Sequence, residues 1–332
     1  MQPPEFWNKG PSQKNMWPVL LAPLSKLWQW AGQNRWQNGA HTKIPIPVIC
    51  IGNVNLGGTG KTPTVIEAIT QLIAMGKKPH VVTKGYKGQL KGPILVNPQI
   101  HTATDVGDEP LLLAAFAPTW VSKNRHDGAQ SAYDAGADVI ILDDGLQNPA
   151  IAKDLTVLVV DAKIGFGNGC VFPAGPLREP IENAVKKSDL LLTIGQPQNL
   201  HQDFIAAWPT VQKLPHATST IIPLETGMNW KNTPVFAFAG IGRPEKFYET
   251  LKGLGANILK TRDFDDHQTI PTTLLTRMEH EANALGAQLV TTEKDAVRLP
   301  KNWQQKVLTI PVRLKIHDTE VFRKSLKAIF NS

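Results

Sequence analysis

The chain has 332 residues, 42% of them hydrophobic, and its 35 Lys and Arg exceed its 28 Asp and Glu to give a formal net charge of +7. This content supports a packed core and, by length, about two domains, and it excludes a largely disordered chain. The positive charge favours anionic partners such as nucleotides or an acidic membrane surface, although a solvated basic surface without a specific partner fits it equally well.

Several classes of protein are excluded by what the sequence lacks. Its two cysteines, Cys50 and Cys170, cannot build a disulfide framework, and neither has a histidine or second cysteine at metal-ligand spacing. We therefore expect a reducing cytoplasm and no structural zinc site. No signal-peptide pattern and no run of about 20 apolar residues is present, so a cleaved leader and a transmembrane helix are not expected. No nucleic-acid recognition module is visible, so nucleic acid is not an expected partner.

The N-terminal 40 residues form a segment of unusual composition. They contain five of the nine tryptophans, namely Trp7, Trp17, Trp28, Trp30 and Trp36. Residues 17–36 are predicted to form a helix, because apolar side chains recur at helical spacing. This apolar stripe consists of Leu20, Leu21, Leu24, Leu27, Trp28 and Ala31. Such a helix with basic neighbours is typical of a segment lying in a membrane interface, so residues 1–40 are predicted to associate with a membrane. A helix packed on the core through the same stripe is the alternative.

From residue 44 onward, apolar runs alternate with helical stretches. Runs rich in Val, Ile and Leu occur at 46–51, 80–83, 139–142, 155–160 and 189–194, and helices are predicted at 62–76 and 109–117. This alternation indicates an α/β fold with a parallel sheet covered by helices on both faces. A second series of runs, at 235–239, 288–292 and 307–311, follows a boundary near 225–233. We therefore predict a larger domain over residues 41–228 and a smaller α/β domain over residues 229–332.

The most informative motif is Gly52-Asn-Val-Asn-Leu-Gly-Gly-Thr-Gly-Lys-Thr-Pro63, which lies between a predicted strand and a predicted helix. In a P-loop of this kind, glycines let backbone N–H groups surround phosphate oxygens, the lysine reaches the β- and γ-phosphates, and the threonine hydroxyl binds Mg²⁺. The strict pattern requires Gly at position 55, where Asn55 stands instead, and Asn tolerates left-handed backbone. The motif predicts that ATP and Mg²⁺ bind at Asn55, Gly57, Gly58, Thr59, Gly60, Lys61 and Thr62.

Carboxylates follow or open three other predicted elements. Asp143 and Asp144 leave the apolar strand 139–142, and two adjacent carboxylates there favour a neutralising cation, although an ordinary Asp-Gly turn is the alternative. Asp108 and Glu109 open a helix, where carboxylates are also ordinary caps. The dipeptide Asp266-His267 can form an oriented general base or serve only the structure.

Two arginines are candidate phosphate clamps. Arg178 ends the Gly- and Pro-rich loop of residues 165–180, and Arg125 follows a short predicted strand. A guanidinium group matches phosphate oxygens well, but either residue can equally be a surface salt-bridge partner. The polar segment Thr291-Thr-Glu-Lys-Asp295, which follows a strand, indicates either a site or a domain contact, and its sequence does not distinguish the two.

Together these motifs resemble the tetraacyldisaccharide 4′-kinase family, the lipid A 4′-kinases of Gram-negative bacteria. The matching segments run over nearly the whole chain: 52–63, 83–86, 107–110, 122–125, 143–147, 175–179, 238–244, 266–267 and 291–295. Two positions depart from the family pattern. Lys84 replaces the usual arginine before Gly85-Tyr86, and Asn148 replaces a common histidine after Gln147.

The resemblance implies an ATP-dependent kinase that phosphorylates the 4′-hydroxyl of tetraacyldisaccharide 1-phosphate in lipid A biosynthesis. It implies a peripheral protein on the cytoplasmic face of the bacterial inner membrane. We also expect no obligate protein partner, and we expect the smaller domain, residues 229–332, to close the active-site cleft. Asp108 would be the catalytic base, acting with His267 and Lys61. Thr62, Glu109, Asp143 and Asp144 would lie near Mg²⁺, and Arg125, Gln147, Arg178 and Glu179 would line the substrate site. The alternatives are a P-loop ATPase or GTPase that regulates a partner protein at the membrane, and a nucleotide-gated membrane-binding module.

Overall fold

The computed structural model describes residues 4–8, 10, 16–266 and 268–331. Within them the strands are β1 (Val48–Gly52), β2 (Pro79–Thr83), β3 (Ile94–Leu95), β4 (Thr119–Val121), β5 (Val139–Asp143), β6 (Leu155–Asp161), β7 (Leu190–Ile194), β8 (His216–Pro223), β9 (Pro234–Ala239), β10 (Asn257–Asp263), β11 (Gln288–Thr292), β12 (Leu308–Ile310) and β13 (Val312–Ile316). The helices are α1 (Met16–Gln37), α2 (Lys61–Ala74), α3 (Ala103–Val106), α4 (Asp108–Leu113), α5 (Arg125–Asp134), α6 (Ile181–Lys186), α7 (Asn199–Ala207), α8 (Pro244–Gly253), α9 (Thr272–Ala284), α10 (Glu293–Ala296), α11 (Lys301–Gln304) and α12 (Thr319–Ala328).

The larger sheet has the strand order β13-β8-β7-β6-β1-β5-β2-β4-β3. Its neighbours from β8 to β4 are parallel, and the two edge pairs are antiparallel. Strands β1, β5, β6 and β7 are buried along their whole length. In β1, Cys50 packs into the core cluster on one face while Ile49 and Ile51 pack into the cluster on the other. The apolar runs are therefore continuous because helices cover both faces, and the predicted parallel α/β architecture is confirmed.

The smaller sheet has the order β10-β9-β11-β12, and all its strand pairs are parallel. Its strands come from residues 234–310, as the second series of apolar runs predicts. The chain then returns to the larger sheet, where β13 pairs with β8 and α12 packs its buried Phe322 and Leu326 into the larger core. The predicted range 229–332 therefore places residues 312–329 with the wrong sheet. Burial of the apolar face of α12 favours this return.

Helix α1 contacts the rest of the protein through one narrow face. Ser25 is its buried residue: the hydroxyl donates to the Val171 carbonyl at 2.8 Å and accepts from the Ala174 amide at 3.1 Å. The predicted helix is confirmed, but most of its apolar stripe points away from the core. Leu20, Leu24 and Leu27 are 65%, 55% and 61% exposed, so the alternative of a stripe packed on the core is wrong. Within the described ranges, no helix has the length and apolar character to cross a membrane.

Candidate active site

The phosphate loop lies between the end of β1 and the start of α2. Gly57 and Gly60 have φ values of 137° and 95°, which side chains rarely tolerate, and Gly60 is the N-cap of α2. A Cβ atom built on Gly57 or Gly58 would meet nothing within 4 Å. The loop therefore has open space in front of it, with Lys61 and Thr62 at the first two positions of a 14-residue helix. This cradle fits the phosphates of a nucleotide, because helix N–H groups and glycine amides bind anions.

Asn55 holds the phosphate loop by its side chain. Asn55 does not adopt the left-handed backbone that Asn tolerates, since among described non-glycine residues only His41, Lys87, Asp144 and Asn232 have a positive φ. Its Nδ2 instead donates to the Gly165 carbonyl at 3.1 Å, and its backbone forms an isolated bridge with Leu177. A glycine could not make the side-chain bond, so Asn55 ties the phosphate loop to the 165–178 loop.

Asp143, the last residue of β5, and Asp144, which follows it, face different partners. Strands β1 and β5 pair Ile51 with Asp143, which puts this aspartate beside the start of the phosphate loop. Asp144 has a φ of 54°, and its Oδ1 lies 2.8 Å from Arg178 Nη1 and 3.8 Å from Lys61 Nζ. Asp143 is buried, and its Oδ2 accepts from the Thr83 hydroxyl at 3.2 Å. Asp144 thus pairs with two cationic side chains, whereas Asp143 lies near the carboxylates of Glu109 and Asp144.

The pKa values of Asp143 and Asp144 are shifted in opposite directions, as their different neighbours require. Burial, Glu109 and Asp144 raise the pKa of Asp143 to about 7, although Lys61 and Arg125 oppose the shift. Burial also disfavours the ionised form of Asp144, but Lys61 and Arg178 outweigh it and hold the pKa of that carboxyl below its usual range. A cation placed by Asp143 would relieve its repulsion with Glu109.

The donor set near Asp143 fits Mg²⁺ only together with a nucleotide. Among the described residues, no group of three or more acidic, histidine or cysteine side chains is arranged to hold a metal ion. Mg²⁺ usually takes one or two carboxylates and completes its shell with waters and phosphate oxygens. Asp143, Glu109 and the Thr62 hydroxyl meet that requirement by type, because all three supply oxygen ligands.

Arg125 braces the turn that carries the two aspartates. It is 5% exposed, and its Nη2 donates to the Asp143 and Asp144 carbonyls at 2.9 and 3.0 Å. The contact with substrate predicted for Arg125 stays a prediction, whereas its hydrogen bonds explain how the turn is kept in a left-handed conformation.

A hydrogen-bonded network joins the other residues predicted to line the site. Gln147 Nε2 donates to Glu179 Oε1 at 3.0 Å and to the Asn53 carbonyl at 3.0 Å. Arg178 Nη1 donates to Gln147 Oε1 at 3.2 Å, and Lys187 Nζ lies 2.6 Å from Glu179 Oε2. The structure thus brings together Gln147, Arg178 and Glu179. It adds Lys187, which no sequence motif indicated.

The segment that follows β11 supplies cations to Asp108 and Glu109, with Lys294 in α10 and Arg298 just after it. Both open α4, and Asp108 is 3% exposed. Arg298 Nε lies 3.7 Å from Asp108 Oδ2, and Lys294 Nζ lies 3.2 Å from Glu109 Oε1. Lys294 belongs to the polar segment 291–295, so this segment makes the contact between the two sheets that its sequence left open. His267, predicted as the partner of Asp108, lies outside the described residues.

Asp161, which no sequence motif indicated, joins the end of the larger sheet to α8. It ends β6, is 2% exposed, and pairs with Arg243 and with Lys246, whose Nζ lies 2.6 Å away, at the start of α8. Burial opposes its ionisation, but Arg243 and Lys246 prevail and lower the pKa of the carboxyl. A signal for it was present, because Asp161 follows the apolar run 155–160 just as Asp143 follows 139–142.

Comparisons of the sequence and of the fold with known proteins match nearly the whole chain to the same family. The family model described as tetraacyldisaccharide-1-P 4′-kinase matches residues 17–331. A tetraacyldisaccharide 4′-kinase of Dinoroseobacter shibae is 50% identical over 99% of this chain and 98% of its own, and one of Parvibaculum lavamentivorans is 45% identical over 96% and 95%. In fold, the chain is similar to a crystal structure of LpxK from Aquifex aeolicus in complex with ATP. That match has a TM-score of 0.75 at 24% identity and covers 94% of this chain and 99% of the other.

Proposed function

The chain belongs to the tetraacyldisaccharide-1-phosphate 4′-kinase family, and from this we propose how its residues bind the two substrates and transfer the phosphoryl group. It is an ATP-dependent kinase that phosphorylates the 4′-hydroxyl of tetraacyldisaccharide 1-phosphate in lipid A biosynthesis. One observation carries the proposed roles. The phosphate loop, the Asp143–Asp144 pair and Arg178 meet at the same edge of the larger sheet.

The triphosphate of ATP lies in the phosphate loop in this proposal. The open space before Gly57 and Gly58 accommodates phosphate oxygens, and the amides at the start of α2 donate to them. Lys61 compensates charge on the β- and γ-phosphates. Asp144 holds Lys61 and Arg178 side by side, so both cations are available to the charge that develops on the transferring group.

Thr62, Asp143 and Glu109 would hold Mg²⁺, which neutralises charge between the β- and γ-phosphates when bound. We assign the direct carboxylate contact to Asp143 rather than Asp144. Asp144 already forms ion pairs with Lys61 and Arg178, whereas at Asp143 burial and the neighbouring acids outweigh Lys61 and Arg125 and leave the pKa raised.

Asp108 acts as the general base in this proposal. It accepts the proton of the sugar hydroxyl while that oxygen forms a bond to the γ-phosphorus and the bond to the leaving ADP oxygen breaks. A positioned base of this kind contributes roughly 10²–10⁴-fold to the rate. Arg298 and Lys294 hold the two carboxylates at the start of α4, which connects the smaller sheet to the reacting hydroxyl. Gln147 and Glu179 line the acceptor side, next to Arg178.

The exposed apolar face of α1 binds a membrane surface in this proposal, and we place the protein on the cytoplasmic face of the inner membrane, where ATP is available. Three exposed leucines on one helical face, together with a net charge of +7, favour an anionic bilayer.

Sedimentation with anionic vesicles tests whether α1 binds a membrane surface. Leu24→Glu with Leu27→Glu should reduce the bound fraction at least about tenfold, because two charges would enter the apolar layer. Equal binding of both proteins would rule the surface out.

Transfer of radiolabel from γ-labelled ATP to purified tetraacyldisaccharide 1-phosphate tests the activity directly. We expect label in the lipid with the wild-type protein and none above background with Lys61→Ala, since that lysine compensates the phosphate charge. Release of label only as inorganic phosphate, unaffected by the lipid, would instead support the regulatory ATPase.

A further inference from the structure

The last turn of α1 reaches the acceptor side of the site through Trp36. The ring of this half-buried tryptophan has Lys187 Nζ at 3.9 Å and Lys153 Nζ at 4.8 Å from its centroid. Both distances lie within the range in which an ammonium group is attracted to the face of an aromatic ring, and Trp is the strongest of the aromatic partners.

The two lysines converge on one residue, Gln147. Lys153 Nζ donates to the Leu146 carbonyl at 3.3 Å and to the Asn148 carbonyl at 2.9 Å, so it holds the backbone on both sides of Gln147. Lys187 pairs with Glu179, which accepts a hydrogen bond from the Gln147 side chain. The backbone around Gln147 is therefore held by Lys153, and its side chain is held by Lys187 through Glu179, with the ring of Trp36 close to both ammonium groups.

Two neighbouring ammonium groups repel each other, and both Glu179 and the ring of Trp36 offset that repulsion. Burial, with a contribution from Lys187, lowers the pKa of Lys153, although Cys50 and Glu179 oppose the shift. The electron-rich face of Trp36 attracts both cations and so reduces the cost of their approach. Trp36 lies in the last turn of α1, its carbonyl accepts from the Gly39 amide, and its ring packs edge-on against the His41 imidazole with 5.1 Å between the ring centroids.

We propose that Trp36 is a positioning residue for the kinase reaction, acting through Lys153 and Lys187 on Gln147 and Glu179. The inference rests on the proposed function, since it assigns Gln147 and Glu179 to the acceptor side. From Gln147 the network continues through Arg178 and Asp144 to Lys61. Helix α1, which carries the exposed apolar face, thus also positions Gln147 and Glu179 on the acceptor side of the site.

Steady-state kinetics of label transfer in detergent–lipid mixed micelles test the inference. Trp36→Leu keeps an apolar side chain but removes the ring face, and we expect about a tenfold lower kcat and a higher KM for the lipid. The KM for ATP should stay within about twofold, because the phosphate loop keeps its own ties at Asn55. Trp36→Phe should recover most of the activity, which a loss of bulk alone would not explain.

Phe330→Leu is the matched control. It removes a ring that lies 4.2 Å from Lys77 Nζ, away from the phosphate loop, and should leave kcat and both KM values unchanged. Lys187→Met provides a second route to the same answer if Trp36→Leu does not fold. It should lower kcat to a similar extent, and adding Trp36→Leu to it should cost little more.

The possible results distinguish a failure of the role inferred for Trp36 from a failure of the proposed kinase function. Transfer by the wild type together with normal kcat in Trp36→Leu or in Lys187→Met overturns the inference and leaves the kinase activity untouched. Equal impairment of Trp36→Leu and Trp36→Phe overturns it as well. Absence of transfer by the wild type contradicts the proposed function instead.

Discussion

Asp143 and Asp144 are adjacent in sequence but have different surroundings, and this difference predicts different variants. Replacing Asp143 with Asn removes a proposed Mg²⁺ ligand, so the Mg²⁺ concentration for half-maximal activity should rise at least about tenfold, with partial recovery at high Mg²⁺. Asp144→Asn keeps a residue that tolerates positive φ but releases Lys61 and Arg178. Its kcat should fall while its Mg²⁺ requirement stays within about threefold. Mg²⁺ titrations of the activity of both variants test this difference. A raised Mg²⁺ requirement in Asp144→Asn and not in Asp143→Asn would assign the direct contact with Mg²⁺ to Asp144.

The role of Asp108 as general base predicts the effect of removing its carboxylate. Asp108→Ala should lower kcat by at least roughly 10²-fold, because the attacking hydroxyl loses its proton acceptor. ATP affinity, measured by titration calorimetry, should be nearly unchanged, since the residue lies on α4 and not on the phosphate loop. Thr276→Ala, an exposed change on α9, is a suitable control. Near-normal turnover of Asp108→Ala would remove this residue from the role of base.

At the scale of elements, β7, β8 and α7 bring two histidines to the same hydroxyl group. The Thr193 hydroxyl lies 2.7 Å from His201 Nδ1 and 2.7 Å from His216 Nε2. Burial lowers the pKa of both imidazoles, and each is lowered further by a neighbouring histidine, His317 beside His201 and His201 beside His216, while Asp318 opposes the shift. Since the folded-state pKa values are below the unfolded value, the unfolded state binds protons first as the pH falls. The stability that these groups contribute is present above about pH 6.5 and is lost on acidification below it.

A variant of His216 tests this dependence. The free energy of unfolding in urea should fall by about 1 kcal/mol more in the wild type than in His216→Gln between pH 7 and pH 5.5, which is close to the most that one imidazole can contribute over this interval. Glutamine can keep a bond to Thr193 and does not titrate. Carboxyls with a raised pKa, Asp143 among them, act in the opposite sense. Both proteins contain them, so the difference between the two isolates the imidazole. Parallel pH profiles for the two proteins would contradict the prediction.

At the scale of the molecule, local pattern predicted elements better than it predicted contacts between distant segments. Apolar runs located β1, β5, β6 and β7, because their burial makes them continuous, and the spacing of glycines located the phosphate loop. The return of β13 to the larger sheet was missed, since an edge strand of five residues with partly exposed positions resembles any short apolar run. Lys187 and Arg298 were missed for another reason: each acts across the fold on a residue far away in sequence.

The two sheets meet at Asp161, and this contact supports a prediction about the whole protein. Its carboxylate is buried, while its partners are partly exposed: Arg243, the N-cap of α8, is 25% exposed and Lys246, in the first turn of α8, is 39% exposed. Asp161→Asn keeps the shape but leaves two cations at the junction without their counter-charge. The free energy of unfolding should therefore fall by about 1–3 kcal/mol, less than for a fully buried pair because water reaches both cations.

The matched control for this junction is an ion pair inside the smaller unit. Glu281→Gln removes the partner of Lys260, Arg262 and Arg277 but leaves the contact between the sheets intact. Solvent screens that cluster, so its loss should change stability little. Protease cleavage between residues 224 and 233 should become faster in Asp161→Asn and not in Glu281→Gln, because only the first change loosens α8 against β6. Equal urea midpoints and equal cleavage rates for the two variants would mean that Asp161 does not hold the sheets together, and that the contacts of Arg298 and Lys294 with α4 do so instead.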